Sequence, residues 1–412
     1  MPAKASSVDI PPASKLHPTL CKVTERLARE LAHPTSRGPD WSDHEWTVAR
    51  AVGALHGISP LLSHSLRWQG PEEWTNFLNE QWSHTRARHL RIQELLVYID
   101  RKTRAAGVAV TALKGAALHQ LGLYEAGDRP MADVDLLVRP ADAQRTATLL
   151  ESLGFRQTIE TWKERVFTPI EDIAAAELGE HAANNLKIEL HERICERLPW
   201  RVTDVSEFIF PPHPGAGLNG YPSNGSLMRH LLLHAAGSMA FQGLRILQLH
   251  DIALLAARMS EADWNEITGA GAVTGGSWWA YPPLELMSRY YETSVPATVL
   301  AALKETCPPV LRTLGARKTL IDVSYSYLWV KAFPGIEWSR SLPEVLSYAA
   351  SRVRPNAQHM THRKYVAANQ TWAKRSDWSG LSQGRRILRW LSSRQTRPST
   401  MHAITAAFSQ AQ

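Results

Sequence analysis

Apolar and polar positions alternate with three different rhythms along this chain. From Leu20 to about Gly107 the spacing is helical. HEWTVARAVGALHG carries apolar residues at helical intervals and stops at Gly57, and LRIQELLVYIDRKTRAAG repeats the pattern and stops at Gly107. From 108 to about 194 the rhythm changes. VAVTALKG is a short strand-like run ending in glycine, AALHQLGLY is one or two helical turns, and MADVDLLVRP alternates as a strand does. ADAQRTATLLESLGF is an amphipathic helix with Asp142 near its start and Gly154 at its end. RQTIETWKERVFTP and NLKIELHERI are strand-like again. Strand, helix, strand, helix and further strands predict a mixed sheet with helices. From about Pro199 helices return: HPGAGLNGYPSNGS reads as a loop, and LMRHLLLHAAGSMAFQGLRILQLHDIALLAARM as helix through most of its length.

These rhythms predict five segments: a disordered N-terminus at 1–16, a helical lobe at 17–107, an α/β core at 108–198, a helical region at 199–355, and a basic, weakly ordered tail at 356–412. The formal net charge of +7 belongs to the last part of the chain. Residues from Arg340 onward hold 12 basic and 2 acidic side chains, and the preceding residues hold 34 and 37. No apolar run approaches the roughly 20 residues that span a bilayer. The first residues lack the apolar stretch of a secretory signal. The three cysteines, Cys21, Cys195 and Cys307, are far apart, which fits a reducing compartment better than a disulfide framework. The expected location is cytoplasmic.

One pattern inside MADVDLLVRP carries chemistry. Residues i and i+2 of a strand share a face, so Asp133 and Asp135 project side by side while Val134 points to the core. Adjacent carboxylates repel and raise one another's pKa. A divalent cation between them removes that cost, and Mg²⁺ favours one or two carboxylates together with phosphate oxygens. A solvated acidic edge is the other reading of D-x-D alone. Upstream, Lys114-Gly115 lies where a strand turns into a helix. Glycine there allows close approach, the helix start offers N–H groups, and the lysine adds positive charge, which together suit a phosphate. Downstream, Glu189 lies between two apolar residues of another strand, as a third metal ligand or a base for a hydroxyl, and His191 shares its face. Arg129 precedes the acidic strand and can neutralise phosphate or pair with Asp128 or Asp133.

Other features carry less. His230 and His234 have a helical i,i+4 spacing that can bind metal, without an accompanying glutamate between them. Arg245 can reach a phosphate or pair with Asp251. GAGAVTGGSWWA lacks the Lys-Ser/Thr of a P-loop and reads as a flexible loop. The basic GRRILRWLSSRQTR stretch could meet a membrane surface, RNA or an acidic peptide, but no RNP1 or GXXG motif accompanies it.

LKG at 113–115, LY at 123–124, RPMADVDLLV at 129–138, LGF at 153–155 and ELH at 189–191 occur in an order and spacing that resembles the bacterial uncharacterised nucleotidyltransferase family, within the polymerase-β-like nucleotidyltransferase superfamily. The resemblance covers roughly residues 45 to 260 and takes in LHGISPLL upstream and the segment with His234, Arg245 and Asp251 downstream. Two departures stand out. Lys114-Gly115 replaces the superfamily's Gly-Ser or Gly-Gly, and Met239-Ala240-Phe241 stands where another histidine and an aromatic residue are expected. The resemblance implies an α+β fold with a polymerase-β-like core flanked by helical regions. It also implies Mg²⁺- or Mn²⁺-dependent transfer of a nucleoside monophosphate from an NTP such as ATP to a hydroxyl, with pyrophosphate released. Asp133, Asp135 and Glu189 would be the metal and catalytic residues, and Lys114, Gly115, Arg129 and His191 would bind the nucleotide. The acceptor stays open among small molecule, peptide, protein and RNA, as does the oligomeric state. An accessory role in a biosynthetic or modification pathway is the expectation. The alternatives are an antitoxin-like nucleotide-binding regulator, a toxin that nucleotidylates tRNA, and a scaffold that works through its basic tail.

Overall fold

A computed structural model describes residues 9–171, 178–269, 276–292, 294–355, 360, 373 and 381–411. Four helices come first: α1 (Ala13–Ala32), α2 (Asp43–His56), α3 (Ser59–Ser65) and α4 (Glu72–Ala105). Ser42 and Glu45 close a reciprocal cap at the start of α2, and Gly57, at φ 66°, ends it in the left-handed conformation. Helix α4 carries Glu72 and Glu73 in its first turn and Lys102 and Arg104 in its last, the order that complements the helix dipole. Residues 1–8 of the expected disordered terminus lie outside the described residues, and helix begins at Ala13.

The centre is a six-stranded mixed sheet, ordered β3-β4-β5-β2-β1-β8. Its strands are β1 (Ala109–Ala112), β2 (Asp133–Val138), β3 (Phe155–Glu160), β4 (Glu164–Pro169), β5 (Lys187–His191) and β8 (Gly217–Asn219). Strand β2 runs antiparallel to β1 and parallel to β5, and β8 adds to the edge parallel to β1. Alternation in β2 divides its side chains between two environments. Val134, Leu136 and Val138 join Ile92 and Ile99 of α4 in one apolar cluster, with Ala147 and Leu150 of α6 (Ala143–Ser152). Leu137 faces the other way, into a larger cluster shared with the helices before and after the sheet. The architecture is α+β, a mixed sheet flanked by helical regions, as the chain's periodicity predicts.

Beyond the sheet, β6 (Cys195–Leu198) and β7 (Arg201–Asp204) form a hairpin, and α7 (Ser206–Ile209), α8 (Asn224–Ala240) and α9 (Ile246–Ala256) follow. The long apolar segment is therefore two helices. Gln242 at φ 58° breaks it, and Gly243 N–H bonds back to the Ser238 carbonyl. Two further differences from the expected plan have simple causes. Strand β8 lies in the segment read as a loop, because three residues, Gly-Leu-Asn, are too short to show alternation. The tail was expected to be weakly ordered, yet Pro398–Gln410 is a helix that buries Thr400, Ile404 and Ala407 and packs on α2. Apart from Ile404, its buried side is made of small residues, Thr400, Ala403, Ala406 and Ala407, which give little apolar signal. A second tail helix spans Gln383–Ser392, and tail residues 356–359, 361–372, 374–380 and 412 lie outside the described residues. No described helix is long and apolar enough to cross a membrane.

Candidate active site

The site begins where β1 turns into α5 (Lys114–Gln120). Lys114 sits at φ 44°, a left-handed conformation that costs a non-glycine residue roughly 1–2 kcal/mol. Its surroundings hold it there. Lys114 N–H donates to the Tyr221 hydroxyl at 3.3 Å, and Tyr221 pairs with His230 Nδ1 at 2.7 Å. Burial first, and Lys114 next, push the His230 imidazole well below its ordinary pKa, so the neutral ring can accept the tyrosine's proton. The lysine ammonium then reaches Asp135 Oδ1 at 2.8 Å. Gly115 is needed for space. A Cβ there would lie 2.8 Å from Met131 Sδ and collide with the Arg129 guanidinium.

Strand alternation places Asp133 and Asp135 on one face, while Val134 is buried on the other. Parallel pairing sets Asp135 beside Glu189 and Leu137 beside His191. Antiparallel pairing of β4 with β5 brings Glu164 opposite His191. His191 Nε2 lies 3.0 Å from Asp135 Oδ1 and 3.8 Å from Glu189, and its Nδ1 is 3.8 Å from Glu164. One ligand atom from each of Asp135, Glu189 and His191 falls within 4.8 Å of the others. All four carboxylates, with Lys114, Gly115, Arg129, Lys163, His234 and Arg245, line a cavity of about 340 Å³.

Charge in this cavity does not balance. Burial, then Asp133, Asp135 and Glu164, push Glu189 well above the usual carboxylate range. Burial and Asp135 likewise raise Asp133. Burial alone would raise Asp135 too, but Lys114 and His191 hold it well below. Burial would also strip the proton from Lys114, and Asp135, Glu189 and Asp133 overrule it and keep the ammonium charged. Among the described residues, Lys114 is the one ammonium paired with these four carboxylates, since Lys163 on the same wall pairs with Glu196. His191 Nδ1 is buried with no hydrogen-bond partner among the described residues. An oxygen-rich donor set with surplus negative charge and one imidazole fits a hard divalent cation.

Arg129 is placed differently from the simplest expectation. Its guanidinium makes a two-pronged pair with Asp251, both contacts 2.8 Å, and Tyr124 hydroxyl donates to the same carboxylate at 2.7 Å. Its partner is neither Asp128 nor Asp133, and its charge is already matched. Arg245, considered as the partner of Asp251, instead lies over the Tyr325 ring at 5.4 Å and makes no ion pair among the described residues. His230 and His234 share no ligand position: the first bonds Tyr221, and the second lies 3.4 Å from Glu196. Residues 270–275 of the glycine-rich stretch lie outside the described residues.

Sequence reasoning passed over Lys163, Glu164 and Glu196. Lys163 pairs with Glu196 at 2.6 Å on the rim of the cavity. Glu164 was within reach, since antiparallel pairing of ERVFTP with KIELH sets its first residue against His191. Lys163 lies in a turn, where periodicity says nothing.

The geometry joins Lys114 at a strand-to-helix turn, two aspartates on one strand and a glutamate on the next. The model of an uncharacterised nucleotidyltransferase family matches residues 42–275, more than half of the chain. No curated protein and no solved structure matches. The matched stretch spans the whole carboxylate face together with α8 and α9, and the chain belongs to this uncharacterised nucleotidyltransferase family.

Proposed function

We propose that the protein transfers a nucleoside monophosphate from an NTP to an acceptor hydroxyl and releases pyrophosphate. The observation that carries this reading is the cluster of Asp135, Glu189 and His191 donors within 4.8 Å, with Asp133 on the same cavity wall. Asp133, Asp135 and Glu189 would hold Mg²⁺ or Mn²⁺. When bound, the ion supplies the positive charge that lets these carboxylates and a triphosphate share one cavity. Lys114 and Arg245 would receive the triphosphate, since both line this cavity. Arg129, matched by Asp251, shapes the wall behind Gly115. The acceptor oxygen bonds to the α-phosphorus as the bond to pyrophosphate breaks, and Glu189, if it does not ligate the ion, would be the base that takes the hydroxyl proton. Such catalysis is mostly positioning and charge neutralisation. The expected role is accessory, in a biosynthetic or modification pathway.

Calorimetric titration with each of the four NTPs, with and without Mg²⁺, tests the site. Binding should require Mg²⁺ and disappear in Asp133→Asn/Asp135→Asn. Transfer of α-phosphate label should fall at least about 100-fold in Asp133→Asn. Undiminished binding by the double variant would remove the assignment. One observation favours a second reading, nucleotide binding with little catalysis: Lys114 and His191 both occupy Asp135 Oδ1. In that case Mg²⁺–NTP binds and no pyrophosphate is released.

A further inference from the structure

A second, larger cavity adjoins the carboxylate site. Its volume is about 520 Å³, in the range of small-molecule sites. Four large side chains on its wall are left exposed to solvent: Trp162 at 41%, Trp200 at 43%, Phe241 at 42% and Phe333 at 36%. Convergence of exposed aromatic rings on one concavity marks a binding surface, where isolated exposed rings would not. Among the described residues, Arg197, Lys331, Arg352 and Arg386 line this wall together with one acid, Glu196. Glu196 is itself committed to Lys163 at 2.6 Å and His234 at 3.4 Å, and both of these line the carboxylate cavity. Glu196 with its partners is therefore the partition between the two spaces. Helix α8 spans both, since His234 and Ser238 line one cavity and Phe241, just past the helix end, lines the other.

We propose that this cavity is the acceptor site, and that the acceptor is a small amphipathic anion: an aromatic or apolar body with an acidic group, bearing the hydroxyl that receives the nucleotide. The rings hold the body, Arg352 and Lys331 hold the acidic group, and the hydroxyl end lies toward Glu196 and the carboxylate face. The acceptor role rests on the transfer reading above, whereas the binding site does not.

The probe is 8-anilinonaphthalene-1-sulfonate, an aromatic body with one anionic group, followed by its fluorescence. One equivalent should bind. Trp200→Ser/Phe241→Ser removes two solvent-exposed rings, so the fold should survive, and it should weaken binding at least about tenfold. Arg352→Gln should weaken it about threefold. Leu346→Ser, an exposed apolar residue outside the cavity wall at 62% exposure, should change it less than twofold. Calorimetric Mg²⁺–ATP affinity should be the same in all three variants and the wild type. Unchanged probe binding by the double variant, or an equal loss in Leu346→Ser, overturns the site. Probe binding as described, in a wild-type protein that binds no Mg²⁺–NTP, would overturn the acceptor role and the transfer reading together. Mg²⁺–ATP binding without probe binding would overturn the cavity alone.

Discussion

Two buried ionic clusters share the wall of one cavity, and they are built on opposite plans. Around Arg129 the charges match: one guanidinium, one carboxylate of Asp251, two parallel hydrogen bonds and a tyrosine hydroxyl to complete the set. Across the cavity, Asp133, Asp135, Glu164 and Glu189 face Lys114. The first plan is self-sufficient and fixes α9 to the loop before β2. The second is costly for the protein alone, and on the proposed function a cation would offset that cost. The same substitution should therefore act in opposite ways. Asp251→Asn leaves a buried guanidinium unmatched and should lower unfolding free energy by about 3–5 kcal/mol in urea titrations. Asp133→Asn removes one of several crowded carboxylates, so metal-free stability should hold or rise. A destabilised Asp133→Asn protein would mean that the carboxylate face is structural after all.

Adding the cation sharpens the contrast. A ligand that binds only the folded state stabilises it by about 2.7 kcal/mol at 100 times its dissociation constant. MgCl₂ or MnCl₂ should raise the unfolding free energy of wild type in this manner, and do nothing for Asp133→Asn/Asp135→Asn. Asp251→Asn should still respond to the ion, displaced downward by its own deficit. Lys114→Met makes an intermediate case. It removes the resident counter-charge of Asp135, so metal-free stability should fall by about 2 kcal/mol or more. The divalent ion should then restore a larger share than it adds to wild type. An Lys114→Met protein indifferent to the ion would separate the lysine from the cation site.

How much of this was readable in the chain depends on the range of the interaction. The shared face of Asp133 and Asp135 follows from strand alternation alone, and Glu189 beside them needs one strand pairing. Both are short-range consequences of backbone geometry. The left-handed Lys114 was not readable, because it depends on Tyr221, 107 residues away, and on His230 behind that. The matched state of Arg129 was not readable either, since Asp251 is 122 residues distant and nearer acids compete for the assignment. Sheet order has the same limit. Strand β8 earns its place through Leu218 N–H donating to Asp100 and through pairing with β1, and its own three residues carry no pattern.

Gly115 lies between the two clusters and gives the smallest and most discriminating effect. Its backbone is not left-handed, so conformational freedom does not explain it. Two explanations remain: room for Arg129 and Met131, or room for a phosphate. In Gly115→Ala the new Cβ would press on Met131 Sδ at 2.8 Å and Cγ at 2.9 Å, as well as on the guanidinium. Methionine can shift and Arg129 is held by Asp251, so the cost should be about 1–3 kcal/mol of unfolding free energy. Making room with Met131→Ala should recover part of that cost, a coupling of at least about 0.5 kcal/mol in a double-mutant cycle. If the glycine serves only the nucleotide, Gly115→Ala would keep wild-type stability and lose Mg²⁺–NTP affinity. The matched cluster would then have no claim on Gly115, and the whole strand-to-helix turn would belong to the unmatched one.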